Sequence, residues 1–255
     1  ASITFGNPGL KAEHAITADL GLGITRMDGA FDLDVTYFHT DVTDRITSAR
    51  ASFAAGSRPV LANGNLVSRV STSVNAGNAQ IRGLEGAVRY DIGAALGRSW
   101  SLNAFANATR IFSATETMPT VTVNAAQFNG QTNFSPTSIF QGVRIGAPLT
   151  ELRIKNVASA NWNVGLEYDD RSRFRIGALG RYVGTRTDND FSDFSDVSDI
   201  EYPPFAVLDL TGGVRVTRRI RADVQVNNVT DENYYEKRGY NLPGRAFTVR
   251  VSTAF

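Results

Sequence analysis

From Ile16 to Ile24 the chain alternates. Ile16, Ala18, Leu20, Leu22 and Ile24 form one series, and Thr17, Asp19, Gly21 and Gly23 stand between them. Successive side chains of a strand point to opposite faces, so this period of two predicts a strand with one apolar and one wet face. The pattern then recurs. Phe31, Leu33, Val35 and Tyr37 alternate with Asp32, Asp34 and Thr36; Leu84, Gly86, Val88 and Tyr90 alternate with Glu85, Ala87 and Arg89. Leu102, Ala104 and Ala106 oppose Asn103, Phe105 and Asn107, and Trp162, Val164, Leu166 and Tyr168 oppose Asn161, Asn163 and Glu167. Phe174, Ile176, Ala178 and Tyr182 oppose Arg175 and Arg181, while Leu208, Leu210, Val214 and Val216 oppose Asp209, Thr211 and Arg215. Ile220, Ala222, Val224 and Val226 oppose Arg221, Asp223, Gln225 and Asn227. In the last segment Phe247, Val249, Val251 and Phe255 are apolar, with Ala246, Thr248, Arg250 and Ser252 between. The alternation predicts about nine strands.

The connections between these segments fall into two sizes. Those near residues 27–29, 91–98, 169–171 and 217–219 are short; those near 49–70, 113–151, 187–203 and 231–243 are long. Short and long alternate strictly, and the first short one, Met27-Asp28-Gly29, carries the Asp-Gly hairpin signal. A soluble β-sandwich has no reason to sort its loops by length. A transmembrane β-barrel does, with short turns at the periplasmic surface and long loops outside. The fold class read here is therefore all-β, an antiparallel transmembrane barrel wall. Its charged series (Asp19, Asp32, Asp34, Glu85, Arg89, Glu167, Arg175, Arg181, Asp209, Arg215, Arg221, Asp223, Arg250) should face a wet lumen. Rings should gather where strands meet the headgroups. Phe31, Tyr90, Trp100, Tyr168, Phe174 and Phe255 fall at the short-turn end, and Tyr37, Phe112, Tyr182, Phe205 and Phe247 at the long-loop end. Phe255 is expected to be the barrel-closing terminal residue.

Composition narrows the field. The 255 residues include no cysteine, which excludes disulfides and thiolate metal sites, and the formal charge of +1 argues against a nucleic-acid partner. No apolar run reaches the ~18 residues of a membrane helix, but barrel strands do not need one. The chain opens on Ala1-Ser-Ile-Thr-Phe without a signal peptide, as a mature or cut fragment would.

Candidate chemistry lies in the long connections. Asp188, Asp190, Asp193 and Asp196 have no basic residue among them, and clustered carboxylates suit Ca²⁺; an ordinary solvated loop has the same composition. No other cofactor is expected. Arg58, Arg144 and Arg186 could meet an anionic ligand or lipopolysaccharide phosphates, and Tyr234 and Tyr235 could stack on one. His14 is a candidate axial ligand for haem. No motif joins Ser, His and Asp, and Gly-x-Ser-x-Gly is absent, so an enzyme is not expected.

Asn7-Pro8-Gly9-Leu10-Lys11-Ala12-Glu13 resembles the Asn-Pro-x-Leu-Lys-Pro-Glu signature of TonB-dependent outer-membrane receptors, with Ala12 in place of the usual Pro. Ile81-Arg82-Gly83-Leu84-Glu85, the run Asn227-Asn228-Val229-Thr230-Asp231-Glu232-Asn233-Tyr234, and Pro243-Gly244-Arg245 before the terminal strand resemble the same family, in its order. The resemblance implies about nine C-terminal strands of a larger, 22-strand barrel whose lumen holds a plug. Residues 1–13 would be the end of an external loop, and 14–255 strands, short periplasmic turns and long extracellular loops. Nine strands alone would leave two open edges in lipid, where each unsatisfied backbone group costs several kcal/mol. The segment is therefore expected to work with the rest of the receptor, not as an independent pore. The implied partners are the plug and upstream strands, the TonB system through the plug, the bilayer and lipopolysaccharide, and a small-molecule nutrient. The implied function is uptake of a scarce nutrient, first a ferric siderophore; cobalamin, haem or oligosaccharide uptake, or a passive porin, are the alternatives.

Overall fold

A computed structural model describes residues 1–53, 55–75, 77–123, 143–189 and 199–254. In chain order its strands are β1 (Ser2–Phe5), β2 (His14–Arg26), β3 (Phe31–Thr43), β4 (Ile46–Ser52), β5 (Arg69–Asn75) and β6 (Ala79–Asp91). A one-turn helix α1 (Ile92–Ala95) precedes β7 (Ser101–Val123), β8 (Val143–Arg153), β9 (Ala160–Asp169) and β10 (Phe174–Val183). Then follow β11 (Arg186–Asn189), β12 (Asp199–Tyr202), β13 (Phe205–Arg215), β14 (Ile220–Asn227), β15 (Tyr235–Lys237), β16 (Tyr240–Asn241) and β17 (Ala246–Thr253). The main sheet runs β17-β14-β13-β10-β9-β7-β6-β3-β2, nine strands, with β8 added on β7. β17 and β2 end this path, so the sheet does not close into a barrel.

The nine alternating segments are the nine strands of that path. The long connections differ from expectation, because they contain β4, β5, β8, β11, β12, β15 and β16, and β1 lies within residues 1–13. The supposed connection 113–151 is mostly hairpin: β7 continues to Val123 and pairs with β8 from Thr115↔Arg153 to Val123↔Val143. Thr115, Glu116 and Thr117 interrupt the apolar alternation that marks the lipid-spanning part.

By packing the chain forms two units, residues 1–17, 40–81 and 114–154, and residues 18–39, 82–113 and 155–255. The first contains a three-stranded sheet. β1 pairs parallel with β5 and β4 pairs antiparallel with it, around buried Ala51, Phe53, Val67 and Val70. The Asn7–Glu13 motif lines this unit. Asn7 Nδ2 donates to the Ser73 carbonyl (2.9 Å), Asn75 receives the Lys11 N–H (2.8 Å) and donates back to its carbonyl (3.0 Å), and Glu13 accepts from Ile46 N–H (2.6 Å).

In the second unit the register separates two faces. Leu166 pairs with Ala178 and Ala178 with Leu210; Leu210 pairs with Val226 and Val226 with Phe247. Among the described residues nothing covers this face: Leu20 is 77% and Val249 70% exposed. A continuous apolar band of this kind belongs against another apolar phase. Rings sit at its ends, with Phe31 edge-on to Tyr90 (6.1 Å), Trp100 beside Tyr168 (6.1 Å) and Trp162 stacked on Tyr182 (5.2 Å).

Two turns show how the ends are held. After β9, Asp170 Oδ1 accepts N–H bonds from Ser172 (2.8 Å), Arg173 (2.6 Å) and Phe174 (2.8 Å). Slight desolvation pushes its pKa up, but those N–H groups together hold it below the usual carboxylate range. A lowered folded-state pKa means the stabilisation is full above the unfolded-state value and is lost as pH falls through the folded one. Asp170→Ala is thus expected to loosen the turn at neutral pH, and amide exchange at 171–174 in the parent should rise only below about pH 4. After β14, buried Asn228 takes a left-handed conformation (φ 50°). Its side chain donates to Glu232 O (2.9 Å) and accepts from Glu232 N–H (2.9 Å), while its own N–H reaches Asp209 (2.7 Å). Asp231 then accepts from Arg245 N–H (2.8 Å), tying the Asn-Asn-Val-Thr-Asp run to Pro243-Gly244-Arg245. Asn228→Leu is expected to cost about 2–3 kcal/mol in chemical unfolding, because buried peptide groups lose partners and a branched residue resists positive φ.

Candidate functional site

The polar face of the second unit is built by the same register that builds the apolar one. Across five strands Asp169, Arg175, Gly213, Asp223 and Arg250 form one row, and Glu167, Gly177, Thr211, Gln225 and Thr248 form the next. The charges expected in the lumen on β9, β10, β13, β14 and β17 therefore share one face. Asp223 accepts from Arg175 (2.8 Å) and Arg221 (3.0 Å), and Arg89 lies 3.5 Å from Asp32. Wet pairs of this kind contribute only about 0–1 kcal/mol each, which leaves the surface easy to rearrange.

At the long-loop end of this face the rings and cations converge. Arg181 donates to Glu236 Oε1 (3.2 Å) and to the Tyr234 hydroxyl (3.2 Å). Its guanidinium lies over the rings of Phe205 (5.6 Å) and Tyr234 (5.7 Å), which are themselves 4.6 Å apart. Next to it Arg186, buried, lies over the ring of Tyr202 (4.8 Å) and donates to the Glu236 carbonyl. Tyr202 is fully buried, packs edge-on to Tyr235 (5.7 Å), and its hydroxyl accepts from Arg238 N–H (3.1 Å). Cation–π contacts strengthen when water is excluded, so Arg186 and Tyr202 fasten the 234–241 segment to the β11–β12 hairpin. Arg181 keeps 40% of its side chain exposed beside the Tyr234 hydroxyl. Together they can donate hydrogen bonds to an oxygen-rich anion.

Three of the five candidate contact residues, Arg186, Tyr234 and Tyr235, meet here. Arg186 is enclosed and holds loops together, whereas Arg181, which the sequence placed in the lumen without a binding role, keeps part of its side chain open to solvent. Arg58 is exposed in the first unit, and the Arg144 side chain lies outside the described residues. Asp188 is in β11; Asp190, Asp193 and Asp196 lie outside the described residues, as does Phe255. His14 opens β2 as an exposed residue. Phe205 corrects the expected girdle: it pairs with Val183, shares the face of Val207 and Asp209, and is buried against Tyr234. Parity along β13 would have placed it correctly. Tyr202 and Glu236 had no sequence signal, since both act through contacts between separate loops.

A family model described as "TonB dependent receptor-like, beta-barrel" matches residues 1–229. Among solved structures, the siderophore receptor PirA of Acinetobacter baumannii aligns with a TM-score of 0.63 at 17% identity, over 99% of this chain and 33% of that one. A mutant of the ferric enterobactin receptor PfeA of Pseudomonas aeruginosa, in complex with enterobactin, gives 0.60 at 18% identity over 99% and 33%. The pyoverdine outer membrane receptor FpvA of Pseudomonas aeruginosa, bound to pyoverdine, gives 0.61 at 14% identity over 96% and 30%. These likenesses establish the fold. The chain spans about a third of the length of each receptor. Comparison with curated protein sequences gives no match.

Proposed function

Because the chain belongs to the TonB-dependent receptor-like β-barrel family, we propose that it is the C-terminal barrel wall of a receptor that takes up a ferric siderophore by TonB-dependent transport. The family consists of outer-membrane transporters, not enzymes, and the chain is a segment of outer-membrane barrel. The observation that carries the cargo reading is the alignment of 96–99% of the chain on receptors named for siderophores. In this reading the rest of the receptor supplies the upstream strands and the lumenal plug through which the TonB system acts. The apolar band meets the bilayer and the loops meet lipopolysaccharide. In the same reading Arg181 and the Tyr234 hydroxyl donate hydrogen bonds to an anionic, oxygen-rich ligand.

The test uses the complete receptor in iron-starved cells that lack other siderophore receptors. Radio-iron uptake from a panel of ferric siderophores is expected, and it should vanish when TonB is deleted. Uptake that persists without TonB would mean a passive pore. TonB-dependent uptake of cobalamin, haem or oligosaccharide in place of every siderophore would overturn the cargo and keep the mechanism.

A further inference from the structure

Arg181 is positioned by rings and occupied by a carboxylate of its own chain. Its guanidinium lies over Phe205 and Tyr234, and one terminal nitrogen donates to the Tyr234 hydroxyl (3.2 Å). The other terminal nitrogen donates to Glu236 Oε1 (3.2 Å). Among the described residues this is one bond to one oxygen, not the paired arrangement that makes arginine–carboxylate contacts strong. Both side chains are open to water, Arg181 at 40% and Glu236 at 55% exposure. A single wet pair of this kind shifts an equilibrium by about fivefold at most.

The two ends of Glu236 are held differently. Its backbone carbonyl accepts from buried Arg186, which is itself fixed over the Tyr202 ring. Its carboxylate has Arg181 alone as partner among the described residues. The carboxylate can therefore swing off Arg181 while the backbone stays in place. The Tyr234 hydroxyl accepts from Arg181, so its own proton remains to be donated. A group with two adjacent anionic oxygens can take paired N–H bonds from Arg181 and a third bond from Tyr234, where Glu236 takes one. We propose that Glu236 is a specificity-determining residue: its carboxylate competes for Arg181, and the anions that displace it are those that bring paired oxygens. The inference rests on the receptor reading above and narrows the ligand chemistry that Arg181 accepts.

The test measures the affinity of 2,3-dihydroxybenzoate, an anion with paired oxygens, for the complete receptor purified in detergent. The parent is compared with Glu236→Gln, Glu236→Asp and Arg181→Gln. Glu236→Gln should tighten binding by about three- to fivefold, and Arg181→Gln should weaken it. Glu236→Asp decides the cause. It keeps the charge but is one methylene short of Arg181, with the backbone held by Arg186, so it should bind nearly as tightly as Glu236→Gln. An Asp variant that binds like the parent would mean charge repulsion alone and overturns the proposal. Thiocyanate, which has no paired oxygens, should compete with the probe on Glu236→Gln and not on the parent; equal competition on both overturns it, as does a probe that binds neither protein at millimolar concentration. Siderophore uptake by the parent is measured separately. Its absence contradicts the transport reading, while the order of the affinities still decides the role of Glu236.

Discussion

Val224→Arg is expected to destabilise the membrane-embedded wall by about 2–4 kcal/mol, and Gln225→Arg to leave it nearly unchanged. The two residues are adjacent in β14 and of similar exposure class. They differ in what they face. Val224 pairs with Gly212 and Val249 within the apolar band; Gln225 pairs with Thr211 and Thr248 on the polar face. An arginine at 224 must desolvate its charge or drag water into hydrocarbon, whereas one at 225 joins a row of wet side chains. Reversible unfolding in lipid vesicles measures both. Equal losses for the two variants would contradict the assignment of faces.

Gly83→Val is expected to cost about 3 kcal/mol or more, and Gly86→Ala close to nothing. Both glycines are in β6. A Cβ on Gly83 would lie 2.5 Å from the Arg110 carbonyl oxygen and 2.7 Å from Phe38 Cζ, and Gly83 is buried. The carbonyl belongs to strand backbone and cannot move without breaking the ladder. A Cβ on Gly86 meets its nearest atom, the Asp34 carbonyl oxygen, at 3.6 Å, an ordinary contact. The glycine of the Ile-Arg-Gly-Leu-Glu motif is thus a place where the ring of Phe38 comes close to the strand backbone. Gly165 repeats the arrangement: it pairs with Phe105, and a Cβ there would meet Cζ of that ring at 2.1 Å. Unfolding of the two β6 variants in the same vesicles checks the pair. A tolerated Gly83→Val would mean that β6 is not held against its neighbours as described.

The strands of the main path were legible because a bilayer demands apolar side chains on one face of every strand that crosses it. Period two then located all nine strands of the main path. Where the wall leaves the apolar phase the demand lapses, and legibility with it. The far half of β7 read as loop because Thr115, Glu116 and Thr117 interrupt the apolar alternation, and β8 was not separated from the same long connection. Aromatic residues on the wet face were the other difficulty. Phe38 and Phe105 cover glycines, and Phe205 packs against Tyr234 beneath Arg181, yet an aromatic near a strand end reads as a girdle residue unless its parity is checked. The loop cluster was half legible. Arg186, Tyr234 and Tyr235 are residue types that suit an anionic ligand, and folding brings them together. Their division of labour, with Arg186 enclosed and Arg181 exposed, depends on Tyr202 and Glu236, which are separated from them in sequence by 16 residues or more in several cases and were joined only by folding.

These 255 residues contain no cysteine, and with any cysteine elsewhere in the receptor replaced the most direct test is simple. Single cysteines are introduced at each position from Ile220 to Asn227 of the complete receptor in outer-membrane vesicles. Each is probed with a charged, water-soluble maleimide and, separately, as a fluorophore quenched by nitroxide lipids. The account predicts strict alternation: labelling from water at 221, 223, 225 and 227, and lipid quenching at 220, 222, 224 and 226. Uniform labelling along the strand, or the opposite phase, would contradict a barrel wall with lipid on one face and water on the other.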